Sequence, residues 1–117
     1  MKLVFKSNKL EKECTDIKIA VKKYGFDVGR KLIDLINYLE EAENLLDVSK
    51  LPQYRLHQLK GDRKYQYSII IFKPSKYRLI LYPLDEDNNI MKSMDNENLM
   101  FIKCIVIKIM EVSEHYE

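Results

Sequence analysis

The fold of this chain is decided by one stretch, Tyr67-Ser68-Ile69-Ile70-Ile71-Phe72-Lys73-Pro74-Ser75-Lys76-Tyr77-Arg78-Leu79-Ile80-Leu81-Tyr82. Its two outer runs are rich in β-branched and aromatic residues, and a proline-containing turn joins them, which predicts a β-hairpin. Along the second run Arg78 shares a face with Ile80, whereas Leu79 and Leu81 lie on the other face. Because an arginine is poorly accommodated against packed helices, we expect the Arg78 face to be concave and open.

Two helical stripes of apolar residues precede this hairpin. The first runs over residues 10–24 behind an N-cap at Asn8, and Gly25 ends it. The second runs over residues 28–46, and Asp27 caps it. Because each stripe covers one side of its helix, we expect a helical hairpin that lays its apolar face on the sheet.

Three further segments are predicted as strands, and with the hairpin they define the fold class. They are residues 3–5, the alternating run 54–59 and the apolar run 101–110, which we expect to be central. The acidic, Asn-rich segment 85–98 is predicted as a loop with a short turn of helix. The order β-α-α-β-β-β-β predicts a single α+β domain over residues 1–117, with a helical hairpin on one face of a mainly antiparallel sheet of about four to five strands.

Charge is distributed unevenly along the chain. The 117 residues carry a formal charge of +2, with 46% hydrophobic and 32% charged residues, an ordinary globular balance. Residues 51–82 hold seven Lys/Arg against one Asp/Glu, whereas residues 83–117 hold three against eight. Clustered cations steer polyanions and release their counterions, which favours a nucleic-acid partner. The alternative is a solvated sheet edge, where lysines block aggregation.

The candidate site is centred on His57, one of two histidines in the chain. It stands among four cations and one acid in the segment 55–64, and an imidazole can take or give a proton near neutral pH. RNA is cut without a metal when its 2′-OH attacks the adjacent phosphate, which requires a base, cations and an acid. Two histidines for proton transfer, three cations and a tyrosine can supply these groups: His57, His115, Lys60, Arg63, Arg78 and Tyr116. A surface histidine without a role is the alternative for His57.

Other classes of function are disfavoured by missing motifs. The two histidines have no suitably spaced Cys, His or acid for zinc, and no glycine-rich phosphate loop or serine nucleophile motif occurs, so we expect neither metal nor cofactor. No apolar run reaches the ~20 residues of a membrane span, and the first residues lack a signal-peptide pattern, so we expect a cytoplasmic protein without a membrane partner. Cys14 and Cys104 fall at apolar positions, which favours buried free thiols over a disulfide.

Three segments of the chain resemble one family in the same order. The first is Arg55-Leu56-His57-Gln58-Leu59-Lys60-Gly61-Asp62-Arg63-Lys64, followed by Gln66-Tyr67-Ser68-Ile69. The second is Lys76-Tyr77-Arg78-Leu79-Ile80, and the third is Glu111-Val112-Ser113-Glu114-His115-Tyr116. They resemble the motifs of the HigB-like toxins of the RelE/ParE superfamily. The resemblance covers nearly the whole chain except residues 85–100.

The resemblance implies a toxin of a type II toxin–antitoxin pair, with the RelE-type fold. Such toxins are ribosome-dependent mRNA interferases, metal-independent endoribonucleases that inhibit translation. The implied partners are the ribosome, mRNA and a HigA-like helix-turn-helix antitoxin, through which the complex binds operator DNA. The residues predicted to be catalytic are His57, Arg78, His115 and Tyr116. Those predicted to bind RNA phosphates are Arg55, Lys60, Arg63, Lys64 and Lys76.

The chain departs from the family pattern at three places. The family tail runs acid-Tyr-His, whereas here it runs Glu114-His115-Tyr116, and Tyr65 replaces a glycine. The acidic segment 85–98 looks inserted. Two alternatives therefore stay open: a ParE-like toxin that inhibits DNA gyrase by protein binding without nuclease activity, and an inactive module that only binds antitoxin.

Overall fold

A five-stranded sheet forms one layer of the protein, whose computed structural model describes residues 1–92 and 96–114. The strands among these residues are β1 (Lys2–Phe5), β2 (His57–Gln58), β3 (Tyr67–Ile70), β4 (Arg78–Leu84) and β5 (Val106–Ser113). Their order across the sheet is β1-β5-β4-β3-β2, with β1 parallel to β5 and the other pairs antiparallel. The predicted α+β class with a mainly antiparallel sheet is confirmed.

Five α-helices accompany the sheet in the described part of the chain. They are α1 (Asn8–Thr15), α2 (Ile17–Tyr24), α3 (Phe26–Glu41), α4 (Leu45–Ser49) and α5 (Glu97–Lys103). The single helix predicted over residues 10–24 is therefore wrong. Asp16 breaks it, because its carboxylate accepts hydrogen bonds from the N–H groups of Lys18 at 2.9 Å and Ile19 at 3.3 Å and so starts a new helix.

Two predicted helix caps are displaced by one or two residues. Ser7, not Asn8, is the N-cap of α1, and its hydroxyl accepts from the N–H of Leu10. Gly25, not Asp27, is the N-cap of α3, at φ +90°, a backbone conformation that glycine adopts without strain. Gly25 therefore ends one helix, as predicted, and also starts the next.

The core lies between α3 and the inner face of the sheet. The predicted stripe of α3 is buried, with Leu32 and Leu39 at 0% exposure. Opposite it Leu79 and Leu81 of β4 are equally buried, as the alternation along that strand predicted. The helical hairpin α2–α3 is packed so closely that a Cβ built on Gly29 would lie 2.7 Å from the Cα of Val21.

Two strand predictions were wrong in part. Over residues 54–59 the chain forms a 3₁₀ turn at Pro52–Tyr54, then a left-handed residue at Arg55 with φ +43°, so only His57–Gln58 pairs as a strand. Over residues 101–110 the first three residues belong to α5, and β5 starts at Val106. As predicted, β5 lies inside the sheet, between β1 and β4.

Candidate functional site

The sheet register places two of the predicted site residues, His57 and Arg78, on one face, which we call the site face. Residues opposite each other in an antiparallel pair point to the same side. One row across four strands consists of His57, Ser68, Ile80 and Glu111. The neighbouring row consists of Ile70, Arg78 and Ser113. Segments that are far apart in the sequence therefore meet on the side of the sheet opposite to α3.

A basic loop, residues 59–66, connects β2 to β3 and folds back on itself. The N–H of Leu59 donates to the carbonyl of Gln66 at 2.8 Å, and the amide of Gln58 donates to the carbonyl of Lys64. A 3₁₀ turn, Gly61–Arg63, forms its tip, and Gly61 takes φ +67° there, a backbone conformation that glycine adopts without strain. These hydrogen bonds hold the loop in a defined shape next to the site face.

The centre of the site face is covered rather than open. Ser68 and Ile80 are both 0% exposed although they point away from the helices. The side chain of Arg63 crosses β3 and β4, and its Nη1 lies 3.4 Å from Oε1 of Glu111 on β5 and 2.9 Å from Oε1 of Gln66. The predicted open face is corrected accordingly: the basic loop closes its middle, and access is from the margins.

His57 lies at the margin of the site face, on the edge strand β2. It is half-buried, and its Nδ1 is 3.0 Å from the carbonyl oxygen of Arg55. A carbonyl oxygen only accepts, so Nδ1 carries the proton and Nε2 is the lone-pair nitrogen of the neutral ring. The carbonyl group of Arg55 therefore fixes the orientation of the imidazole ring.

Arg78 lies in the neighbouring row, about 12 Å from His57, since the two residues are separated by two strand spacings and by two residues along the strand. Its Nη1 donates to the carbonyls of Ser75 at 3.1 Å and Tyr77 at 3.0 Å, which fixes the guanidinium at the β3–β4 turn. Its Nε is buried and has no hydrogen-bond partner among residues 1–92 and 96–114. A buried N–H without an acceptor is costly.

The other predicted phosphate-binding cations are exposed around this face. Arg55, Lys60 and Lys64 belong to the segment that carries β2 and the basic loop, and Lys76 lies on the β3–β4 turn. Arg63 differs from them, because the structure pairs it with Glu111 and Gln66. Its first role is to hold the basic loop on the sheet.

Tyr65, in the basic loop, is flanked by two lysines. The Nζ of Lys64 lies 5.1 Å from the centre of its ring, and that of Lys92 lies 5.4 Å from it. Both distances suit cation–π contacts. The basic loop thus gains an aromatic side chain, and Lys92 of the segment between β4 and α5 meets it.

An open cleft of about 420 Å³ borders the end of β5. Its walls are residues 111–114 of the chain on one side and Lys23, Tyr24 and Tyr77 on the other. The rings of Tyr24 and Tyr77 meet edge to face at 5.3 Å. Glu13 supports the cleft from beneath, because its carboxylate accepts from Lys23 at 2.7 Å and from the Tyr24 hydroxyl at 3.3 Å.

The ionisation of Tyr24 follows from this arrangement. Burial first, and then the Glu13 carboxylate, raises the pKa of Tyr24 above its ordinary value. The hydroxyl therefore stays protonated and donates to Glu13 at physiological pH. The cleft offers a fixed ammonium group, an aromatic floor and the two carboxylates of Glu111 and Glu114.

The tail residues predicted to be catalytic, His115 and Tyr116, lie outside the described residues. The described chain ends at the exposed Glu114, directly after Ser113 pairs with Arg78. No geometry of His115 or Tyr116 enters the description of the site.

Three residues of the site face were missed by the sequence reasoning. Glu111, Ser68 and Gln66 lie on this face, and the last two are buried polar side chains. Ser68 Oγ has no hydrogen-bond partner within the described part of the chain. Side-chain alternation along β3 could have placed Gln66 and Ser68 on the same side of the sheet. The position of Glu111 opposite Ile80 requires in addition the register between β4 and β5.

The chemistry of the remaining groups is limited. Among residues 1–92 and 96–114, no group of three His, Cys, Asp or Glu side chains could hold a metal ion. None of the helices in these ranges has the length and apolar character of a membrane span. Cys14 and Cys104 are free and 0% exposed, which confirms the prediction of buried thiols. Burial raises the pKa of Cys14 to about 12 and of Cys104 to about 11, so neither is a nucleophile at neutral pH.

Fold and site together define an α+β protein with a helical layer on one side of the sheet and a basic, partly covered face on the other. No protein-family model matches the chain, and no curated protein sequence matches it. Among solved structures it is similar to a YoeB/ParE toxin from Agrobacterium tumefaciens, with 17% identity and a TM-score of 0.49 over 99% of this chain and 100% of that chain.

Proposed function

We propose that this chain is the toxin of a type II toxin–antitoxin pair and cleaves mRNA on the ribosome without a metal. One observation carries the proposal: the segments that resemble the three toxin motifs lie in adjacent rows of one sheet face. Nothing in their sequence spacing requires this, since β2, β4 and the end of β5 are separated by whole elements. Exposed cations surround the same face, as an RNA-binding surface needs.

In this proposal the two best-placed groups act on the attacking 2′-oxygen and on the phosphate that it attacks. His57 takes the 2′-OH proton through Nε2, because Nδ1 is held by the Arg55 carbonyl. Arg78 binds the phosphate through Nη2, because its Nη1 is engaged at the β3–β4 turn and its Nε is buried. His115 or Tyr116 protonates the leaving 5′-oxygen or stacks on a base.

The remaining cations hold the RNA strand. Arg55, Lys60, Lys64 and Lys76 bind flanking phosphates as exposed charges. Arg63 binds phosphate only by exchanging its Glu111 partner for RNA, which loosens the basic loop and uncovers Ser68. The partners are a HigA-like antitoxin with a helix-turn-helix domain, through which the complex binds operator DNA, and the ribosome with its mRNA, all in the cytoplasm.

The proposal is tested by inducing the chain without antitoxin and mapping new 5′ ends on a reporter mRNA. We expect cleavage within translated codons and growth arrest. Arg78→Ala should lower cleavage by about 10²–10³-fold, since removing one transition-state charge donor costs about that much. Arg30→Ala is the matched control, because Arg30 is exposed on α3, where its guanidinium lies 5.3 Å from the ring of Phe26.

Arg78 also holds the β3–β4 turn, so Arg78→Lys accompanies the alanine variant and circular dichroism checks that each is folded. Lysine keeps a charge but cannot reproduce the fork of donors, so its activity should fall between the other two. A folded Arg78→Ala variant that cleaves like the parent would remove Arg78 from the site. Intact mRNA with DNA damage would assign the chain to gyrase inhibition instead.

A further inference from the structure

A second surface, away from the site face, carries an unusual concentration of exposed apolar side chains. Leu99 and Ile102 are one helical turn apart on α5, 42% and 48% exposed, and Ile105 follows at 45%. Large apolar residues exposed singly are normal, but a cluster of them marks an interaction surface. We call this surface the α5 cleft.

The α5 cleft is concave, with an apolar wall and an acidic wall. Ile102, Ile105 and Met91 line a cavity of about 470 Å³, and residues 85–87 form its other side. Lys103 is the one basic residue among the lining side chains. This is the geometry of a groove that takes apolar anchors along one side and charged groups along the other.

The acidic wall has a fixed shape. Oδ1 of Asp85 accepts from the N–H groups of Asp87 and Asn89, both at 2.9 Å, and the N–H of Asp85 donates to the carbonyl of Asn89 at 2.8 Å. Glu86 and Asp87 are exposed at the turn, so their carboxylates face solvent beside the cavity. The wall therefore presents negative charge without rearrangement.

The α5 cleft lies at the far end of the sheet from the predicted chemistry. Residues 85–87 follow the last residue of β4, and Ile105 immediately precedes β5, whereas Arg78 and Ser113 stand at the opposite ends of these two strands. Seven residues of β4 span about 20 Å. A molecule in the α5 cleft would leave the site face uncovered.

We propose that the α5 cleft is a protein-docking surface for an amphipathic helical segment that carries apolar side chains on one face and lysine or arginine beside them. The apolar anchors would fill the cavity between Ile102 and Ile105, and the cations would face Glu86 and Asp87. Charge complementarity favours a basic partner. An acidic segment would be repelled by the carboxylates of Glu86 and Asp87, and a purely apolar segment would leave these carboxylates without a cation. This inference does not depend on the proposed nuclease function.

The test uses a labelled amphipathic helical peptide of leucine and lysine, and a matched peptide of leucine and glutamate. Fluorescence anisotropy gives affinities, and amide chemical shifts of the labelled protein locate the site. We expect only the lysine peptide to bind, with shifts centred on α5 and residues 85–91. Ile102→Ser should weaken binding at least about tenfold, as truncating a central anchor does. Ile17→Ser, at a 45% exposed position on α2, is the matched control.

A second variant separates charge from apolar contact. Glu86→Gln with Asp87→Asn leaves Asp85, and with it the turn, intact, and should weaken the lysine peptide while reducing its salt dependence. Equal binding of both peptides, or shifts confined to the site face, would overturn the proposal. So would a dimer in sedimentation equilibrium that Ile102→Ser dissociates, because the occupant would then be a second copy of the chain.

Discussion

Gly29 offers the sharpest test of how the helical layer is built. In Gly29→Ala the new Cβ would lie 2.7 Å from the Cα and N of Val21 and 2.8 Å from the carbonyl carbon of Ala20. All three are backbone atoms, so no rotamer change can relieve the contact. Ordinary van der Waals contact between carbon atoms needs about 3.5 Å, so α2 and α3 must separate by close to an ångström.

Two effects of opposite sign compete in this variant. Alanine is a better helix former than glycine by about 1 kcal/mol, which would stabilise α3. Overpacking typically costs about 1–3 kcal/mol, and the rigid neighbours here place it at the upper end. We therefore expect a net loss of about 2 kcal/mol, since separating the helices also loosens α3 from the core around Leu32.

Urea unfolding followed by circular dichroism measures this loss. The midpoint should fall with little change in the slope, because the same surface is exposed on unfolding. Glu40→Ala, at an exposed position of the same helix, is the control and should change stability by less than about 0.5 kcal/mol. A Gly29→Ala protein as stable as the parent, or more stable, would show that the two helices do not approach as described.

Two further predictions concern buried groups. Glu13→Ala should lower the free energy of unfolding, measured with urea, by about 1–3 kcal/mol, because the Tyr24 hydroxyl loses its acceptor. Adding Tyr24→Phe should recover part of this loss, and a double variant without any recovery would contradict the hydrogen bond between the two residues. Burial raises the pKa of Cys14 to about 12 and of Cys104 to about 11, so the folded chain keeps both thiols protonated while the unfolded chain ionises near 9.0. The free energy of unfolding should therefore fall as pH rises above about 9, and less steeply in Cys14→Ala; identical pH slopes would argue against a protonated, buried Cys14.

Local patterns predicted the parts of the fold whose cause is local. The β3–β4 hairpin and the buried stripe of α3 follow from side-chain periodicity alone. The break at Asp16 was missed because apolar spacing continues across it, while the break depends on one carboxylate bonding to the next turn. Phe101 lies in a run with strand composition, yet Asn96 caps a helix there and the Phe101 ring packs edge to face on Tyr67 at 5.6 Å. Tertiary packing decided that segment.

The candidate site also has one part that the sequence predicted and another part that it did not. Arg78 was placed on its face by counting along one strand, which needs no other part of the chain. The contact between Arg63 and Glu111 depends on the pairing of β4 with β5 and on the register shift between Ile80 and Leu81. The side-chain periodicity of a single segment carries no information about a register shift between two strands. The buried centre of the site face could therefore not be predicted from the sequence.

The position of β5 also bears on when the protein can fold during synthesis. β1 pairs with Val106–Ile109, so its hydrogen-bond partners are synthesised about a hundred residues after it, the separation between Lys2 and Val106. Until then β1 has no neighbour and β4 has an unpaired edge. Contacts between residues this far apart in the sequence slow folding, because the chain loses the entropy of closing the loop before the contacts stabilise it. The row of the site face that ends in Glu111 is also completed only when β5 pairs with β4. A nascent chain therefore contains the basic residues of segment 51–82 long before its site face is assembled.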